Sequence, residues 1–138
     1  MAIITIIGSG LMGSAVAFPL ADNGHDVRLV GTHLDRDIIS SCKTQRFHST
    51  LQRRLPEGVC PYYIEELAEA MQGTEVVVGG VNSHGVHWLG QTLAAHLQPH
   101  HLLISITKGL EAGPDGNVCI LPDVLAAELP ANLRACLA

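Results

Sequence analysis

The chain has 138 residues, enough for one domain with a substantial core. Hydrophobic residues make up 47% and aromatic residues only 4%, so aliphatic side chains must fill the interior. The formal net charge of -5 argues against nucleic acid and acidic membranes as partners, because such binders are normally basic. No apolar run is long enough to span a bilayer, and the N-terminus lacks the basic region and long apolar core of a signal peptide. These features predict a cytoplasmic protein. The four cysteines (Cys42, Cys60, Cys119, Cys136) are widely spaced and form no C-x-x-C pair, so they read as ordinary reduced thiols.

Residues 2–7 form a short β-branched run ending at Gly8, the pattern of a strand buried on both faces. Residues 11–23 read as a helix, stopped by Asn23-Gly24 and carrying Pro19 as an expected kink near Ala15. Residues 27–30 read as a second strand, and 35–47 as a polar surface helix. Residues 48–58 read as an irregular loop, 59–62 as a short edge strand, and 64–71 as a helix with Glu65, Glu66 and Glu69 facing water. Another buried strand covers 75–79, built on Val76-Val77-Val78. A helix over 84–97 is stopped by Pro99, a strand covers 102–107, and a final helix covers 119–129, ended before Pro130. Strands alternate with helices throughout, which demands parallel pairing through helical crossovers.

Gly8-Ser9-Gly10-Leu11-Met12-Gly13 is a G-x-G-x-x-G motif placed directly after a strand and opening a helix. Gly8 permits a tight turn, Gly10 lets a pyrophosphate approach the backbone, and Gly13 lets helix and strand pack closely. Unpaired N–H groups at the helix start then face an anion. The expected fold is a Rossmann-type, doubly wound parallel α/β sheet with helices on both faces. The second strand should end near the adenine ribose. Gly31-Thr32-His33 stands there instead of an acid, and His33 or Arg36 could receive a 2′-phosphate. That favours NADP, the alternative being that Asp35 curls back and serves NAD.

Three further stretches carry a resemblance: Asn23-Gly24-His25-Asp26-Val27-Arg28-Leu29, the run from Val76 to Asn82 leading into Ser83-His84-Gly85, and Ser105-Ile106-Thr107-Lys108-Gly109-Leu110-Glu111. Together with the glycine loop they resemble the N-terminal half of NAD(P)-dependent glycerol-3-phosphate dehydrogenase, over nearly the whole chain. The resemblance implies a hydride-transferring oxidoreductase acting on dihydroxyacetone phosphate and sn-glycerol 3-phosphate, with NADP or NAD as cofactor. It implies cofactor contacts at Gly8, Ser9, Gly10, Leu11, Met12, Gly13, Thr32, His33, Ser83 and Lys108. Lys108 would lie between cofactor and triose phosphate, where an ammonium can polarise a carbonyl. Two departures stand out: Asn82 replaces the family's usual proline, and Leu11-Met12 replaces a small or polar plus aromatic pair. The family's second, helical domain, with the lysine taken to be the proton donor, has no counterpart in residues 1–138. The chain alone is therefore expected to bind nucleotide with little turnover, and an uncovered sheet edge favours homo-oligomers.

Other readings are a non-catalytic NAD(P)-binding sensor or regulatory module, and a reductase of another small substrate such as ketopantoate. The Thr107-Lys108-Gly109-Leu110 stretch argues against the last. His84 and His87, with His96, His100 and His101, lack neighbouring acids or thiols that would complete a metal site. Arg46, Arg53 and Arg54 read as a solvated basic face, and Trp88 as core or domain interface.

Overall fold

A computed structural model describes all 138 residues. Strand β1 (Ile3–Ile7) leads into helix α1 (Leu11–Asp22), then β2 (Asp26–Val30) and α2 (Arg36–Gln45). A hairpin of two-residue strands follows, β3 (Phe47–His48) and β4 (Arg53–Arg54), then β5 (Val59–Tyr62) and a short helix α3 (Leu67–Ala70). Next come β6 (Val76–Gly79), α4 (Val86–Ala94) and β7 (Leu102–Ser105). A second hairpin, β8 (Leu110–Ala112) and β9 (Val118–Ile120), precedes α5 (Leu121–Glu128).

The main sheet is five-stranded and wholly parallel, in the order β5-β2-β1-β6-β7. Alternation along β1 shows how it is covered. Ile4 and Ile6 point into a cluster with Ala17 of α1 and Cys42 of α2. Ile7 points the other way, into the cluster containing Leu67, Leu89, Leu93 and Leu125 of α3, α4 and α5. Helices therefore cover both faces, and the architecture is the expected doubly wound sheet. Thr5, fully buried on the central strand, is satisfied by the Ala70 carbonyl at 2.9 Å and the Thr74 hydroxyl at 2.8 Å.

The chain builds β1, β2 and β5 outward in one direction, then returns to lay β6 and β7 on the other side of β1. The reversal leaves a crevice between the loops that follow β1 and β6, at the carboxyl ends of the strands. Open α/β sheets bind ligands at this switch point.

Several expectations change. The stretch at 48–58 is not a plain loop, because it contains the β3–β4 turn pairing Phe47 with Arg54. The helix expected over 35–47 is shorter, and it is not purely a surface helix, since Ile39 and Cys42 are buried. The one expected over 64–71 splits into a 3-10 turn, Ile64–Glu66, and α3, with Glu66 tied to Lys43 at 2.8 Å. The one expected over 84–97 likewise opens with a 3-10 turn, Ser83–Gly85. Strict alternation fails at residues 110–120, where an antiparallel hairpin takes Cys119 out of the final helix.

Candidate dinucleotide site

The crevice is a cleft of about 840 Å³. On one wall stand Gly8, Gly10, Leu11 and Met12; Thr32, His33, Leu34 and Asp35 close one end, and Ile106, Thr107 and Lys108 the other. The loop after β6, from Gly80 to Gly85, faces the glycine loop. Of the ten cofactor contacts that the resemblance implies, eight meet here: Gly8, Gly10, Leu11, Met12, Thr32, His33, Ser83 and Lys108. Ser9 and Gly13 do not line the cleft; both are buried beneath it.

Close approach explains two of the loop glycines. Gly8 has φ +112°, and a Cβ there would sit 2.6 Å from the Gly80 carbonyl oxygen. A Cβ on Gly13 would overlap the Gly8 carbonyl oxygen, and one on Gly80 would come within 2.9 Å of the Gly13 Cα. At this junction the start of helix α1, the end of β1 and the β6 loop meet through Gly13, Gly8 and Gly80. Gly10 is different. Its backbone is extended, with φ −68° and ψ −170°, and no atom lies within 4 Å of an added Cβ. The space above it is open cleft.

Helix α1 begins at Leu11 with no side-chain cap and no acid in its first turn. The first intrahelical bond runs from the Ser14 amide to the Gly10 carbonyl at 3.1 Å, and the amides of Gly10, Leu11 and Met12 donate to no protein acceptor. Such unpaired donors at a helix N-terminus form an anion site. The residues present therefore fit a dinucleotide: free amides and an open glycine at mid-cleft, with room on both sides.

At the adenosine end, the expectation of no carboxylate is corrected. Asp35 curls back, its Oδ2 accepting from the Thr32 amide at 2.9 Å and the Ser9 amide at 3.1 Å. Arg36 is committed elsewhere, pairing with Glu65 at 2.8 Å and lying 4.7 Å from the Tyr63 ring centroid. Trp88 packs against the edge of the core, as expected, and does more. It is half-buried, lines the cleft, and packs its ring against that of His33 with centroids 5.4 Å apart.

At the opposite end, Thr107 donates from Oγ1 to the Val81 carbonyl at 2.7 Å and so holds the loop after β7 against the loop after β6. Lys108 follows, exposed, with no ion pair to any acid. Asn82, in place of the family's proline, keeps the loop in shape by capping: its Oδ1 accepts from the Gly85 amide at 3.1 Å. His84 and His87 diverge. His84 lines the cleft, whereas His87 bridges Glu111 at 2.8 Å and Glu128 at 2.7 Å outside it. Of the basic trio, Arg53 and Arg54 stay exposed on β4 as expected, and only Arg46 turns inward. Arg46 donates to the carbonyls of Val59 and Pro56, and Arg53 lies over the Phe18 ring.

Two contributions to the site escaped sequence reasoning. Gly79-Gly80 after the Val76-Val77-Val78 run mirrors Gly8 after its own strand, and that symmetry was a usable signal. His48, fully buried with Nε2 2.9 Å from the Ser9 carbonyl oxygen, gave none.

The family model for the N-terminus of NAD-dependent glycerol-3-phosphate dehydrogenase matches residues 3–138. The chain belongs to that family. It is 35% identical over 123 residues to an NADP(+)-dependent glycerol-3-phosphate dehydrogenase of Archaeoglobus fulgidus, covering 89% of this chain and 36% of that protein. It is 33% identical over 133 residues to a glycerol-3-phosphate dehydrogenase [NAD(P)+] of Desulfitobacterium hafniense, covering 94% of this chain and 35% of the relative. The crystal structure of glycerol-3-phosphate dehydrogenase from Coxiella burnetii superposes with a TM-score of 0.80 at 25% identity, over 93% of this chain and 38% of the other. The chain thus spans about a third of the length of the curated relatives it matches. Among its helices none is long and apolar enough to cross a membrane.

Proposed function

We propose that this chain is the cofactor-binding part of an oxidoreductase that transfers hydride between NAD(P)H and dihydroxyacetone phosphate or sn-glycerol 3-phosphate. The observation that carries the reading is the pairing, in one cleft, of three unpartnered loop amides with an unpaired lysine at the far end. The names of the relatives point to the same chemistry.

The amides of Gly10, Leu11 and Met12 would hold the pyrophosphate, aided by the positive end of the α1 dipole, worth about 0.3–1 kcal/mol per charge. Thr32, His33 and Trp88 would flank the adenosine, and Ser83 and Lys108 the nicotinamide side. The cofactor, when bound, supplies the hydride. Lys108 attracts the triose phosphate and stabilises negative charge as it develops on the carbonyl oxygen. Thr107 and Asn82 keep the two loops that present these groups in register. The family's second domain completes the substrate site and supplies the proton, in a cytoplasmic enzyme.

The chain has one tryptophan, Trp88, and it lines the cleft. Its fluorescence therefore reports nucleotide directly. Titration with NADH and with NADPH is expected to quench it saturably for at least one of them; no response to either removes the proposal. In a version carrying the family's substrate domain, Lys108→Ala is expected to lower triose-phosphate-dependent NAD(P)H oxidation by about 100-fold, the scale of one lost oxyanion donor. An unchanged rate removes Lys108 from its role.

A further inference from the structure

The glycine loop ends in amides that face the cleft, but nothing in its sequence explains what holds the preceding peptide still. Three partners do so, Asp35 from the end of the cleft and Ser14 and His48 from beneath. The Ser9 amide donates to Asp35 Oδ2 at 3.1 Å. The Ser9 carbonyl accepts from Ser14 Oγ at 2.9 Å and lies 2.9 Å from His48 Nε2. His48, Ser9 and Ser14 are all fully buried.

The tautomer of His48 follows from its neighbours. The Leu51 amide reaches Nδ1 at 3.1 Å, and an amide can only donate, so Nδ1 is the bare acceptor. The Ser9 carbonyl can only accept, so Nε2 carries the proton and donates to it. A neutral imidazole satisfies both ends, with no need for charge in a fully buried site.

No peptide bond in the chain is cis. In a trans peptide the carbonyl and the following N–H point in opposite directions. Pulling the Ser9 carbonyl inward therefore turns the Gly10 amide the opposite way, toward the cleft that Gly10 lines. We propose that His48 is a positioning residue for the nucleotide site: from under the loop, it holds the Ser9 carbonyl down and so aims the Gly10 amide at the bound anion. The β3–β4 hairpin is the device that carries it there, across 39 residues of sequence. This rests on the reading of the loop as the pyrophosphate cradle.

Two conservative variants split the two hydrogen bonds of the ring. In His48→Gln the terminal amide stands near the former Nε2, keeping a donor for Ser9 and losing the acceptor for Leu51. In His48→Asn the side-chain oxygen stands near the former Nδ1, keeping the acceptor for Leu51 and losing the donor for Ser9. Ser14→Ala removes the other donor to the same carbonyl and suits a helix. Each protein is titrated with NADH and NADPH by Trp88 fluorescence, and melted without nucleotide.

His48→Gln is expected to bind within about threefold of the unsubstituted chain, whatever its melting temperature. His48→Asn is expected to bind about tenfold more weakly, and Ser14→Ala at least threefold. Affinity that simply tracks melting temperature across the variants overturns the proposal, as does unaltered binding in His48→Asn, whatever Ser14→Ala does. Failure of the unsubstituted chain to bind either nucleotide removes the cradle itself and this inference with it.

Discussion

Gly10→Ala isolates the one loop glycine whose purpose is not to fit against protein. The added methyl meets no atom within 4 Å, and the backbone at φ −68° and ψ −170° suits any residue. Reduced freedom of the unfolded chain favours alanine by about 0.4–1 kcal/mol, while the N-cap preference for glycine over alanine opposes it by a similar amount. Folding stability is expected to change by less than about 1 kcal/mol, a melting shift of at most about 4 °C. Binding should behave differently. The methyl occupies the space in which phosphate oxygens must come within about 3 Å of the Gly10, Leu11 and Met12 amides. Losing two hydrogen bonds to a charged group, at about 1.5–3 kcal/mol each, weakens nucleotide binding by at least about 3 kcal/mol, or more than 100-fold. Gly13→Ala is the contrasting control. Its Cβ overlaps the Gly8 carbonyl oxygen, so the cost falls on folding and the melting temperature drops before any ligand is added. The assay is Trp88 quenching by NADH and NADPH beside a melting curve for each protein. Native-like affinity in Gly10→Ala would refute the pyrophosphate cradle, whatever the fold.

His87 is held above its ordinary value of 6.5 by hydrogen bonds to Glu128 and Glu111, and Glu128 is held below its ordinary 4.5 chiefly by His87. A raised histidine contributes fully below pH 6.5 and loses its contribution as pH rises through the raised value; a lowered carboxylate contributes above pH 4.5. The clamp is therefore strongest between pH 4.5 and 6.5, and thermal stability is expected to fall towards pH 8. His87→Gln should flatten that fall only slightly, because the pair is solvent-exposed and screened; a slope unchanged in the variant would refute the assignment. The thiols provide a separate check on the packing. Burial pushes Cys42 up to about 11, and Cys136 is buried with Sγ directed at the Gln98 carbonyl. At pH 8 a thiol reagent should modify Cys60 and Cys119 within the mixing phase and the other two only on unfolding. Four fast thiols by mass spectrometry would contradict the α2 packing.

What could be read from the sequence had its cause within a few residues. The run into Gly8 declares a buried strand because Ile4 to Ile7 are all buried, on alternating faces of β1, and the glycine spacing declares the turn because Gly8 and Gly13 touch each other. The hairpin at 110–120 was legible too, though missed. Gly113-Pro114-Asp115-Gly116 is turn chemistry between Leu110-Glu111-Ala112 and Val118-Cys119-Ile120, and in the structure Asp115 Oδ1 accepts from the Asn117 amide at 3.1 Å while Gly116 takes φ +81°. Two- and three-residue strands are too short to show a period, so only the turn betrays them.

The site divides along the same line. Leu11, Met12, Thr32 and Lys108 follow directly from strand ends, and a strand end in a parallel sheet is already a ligand-facing position. Asp35 could be placed only as one of two alternatives, because its curled position depends on the Ser9 amide, 26 positions away, as well as on the nearby Thr32 amide. His48 could not be placed at all. Its partner is a backbone carbonyl, which has no residue identity for a motif to record. A phosphate-loop motif therefore specifies where an anion can come, whereas the direction of the Gly10 amide, on the proposal above, is set by His48 and Ser14 buried beneath the loop. Substituting those buried side chains should change affinity without altering a single residue that lines the cleft.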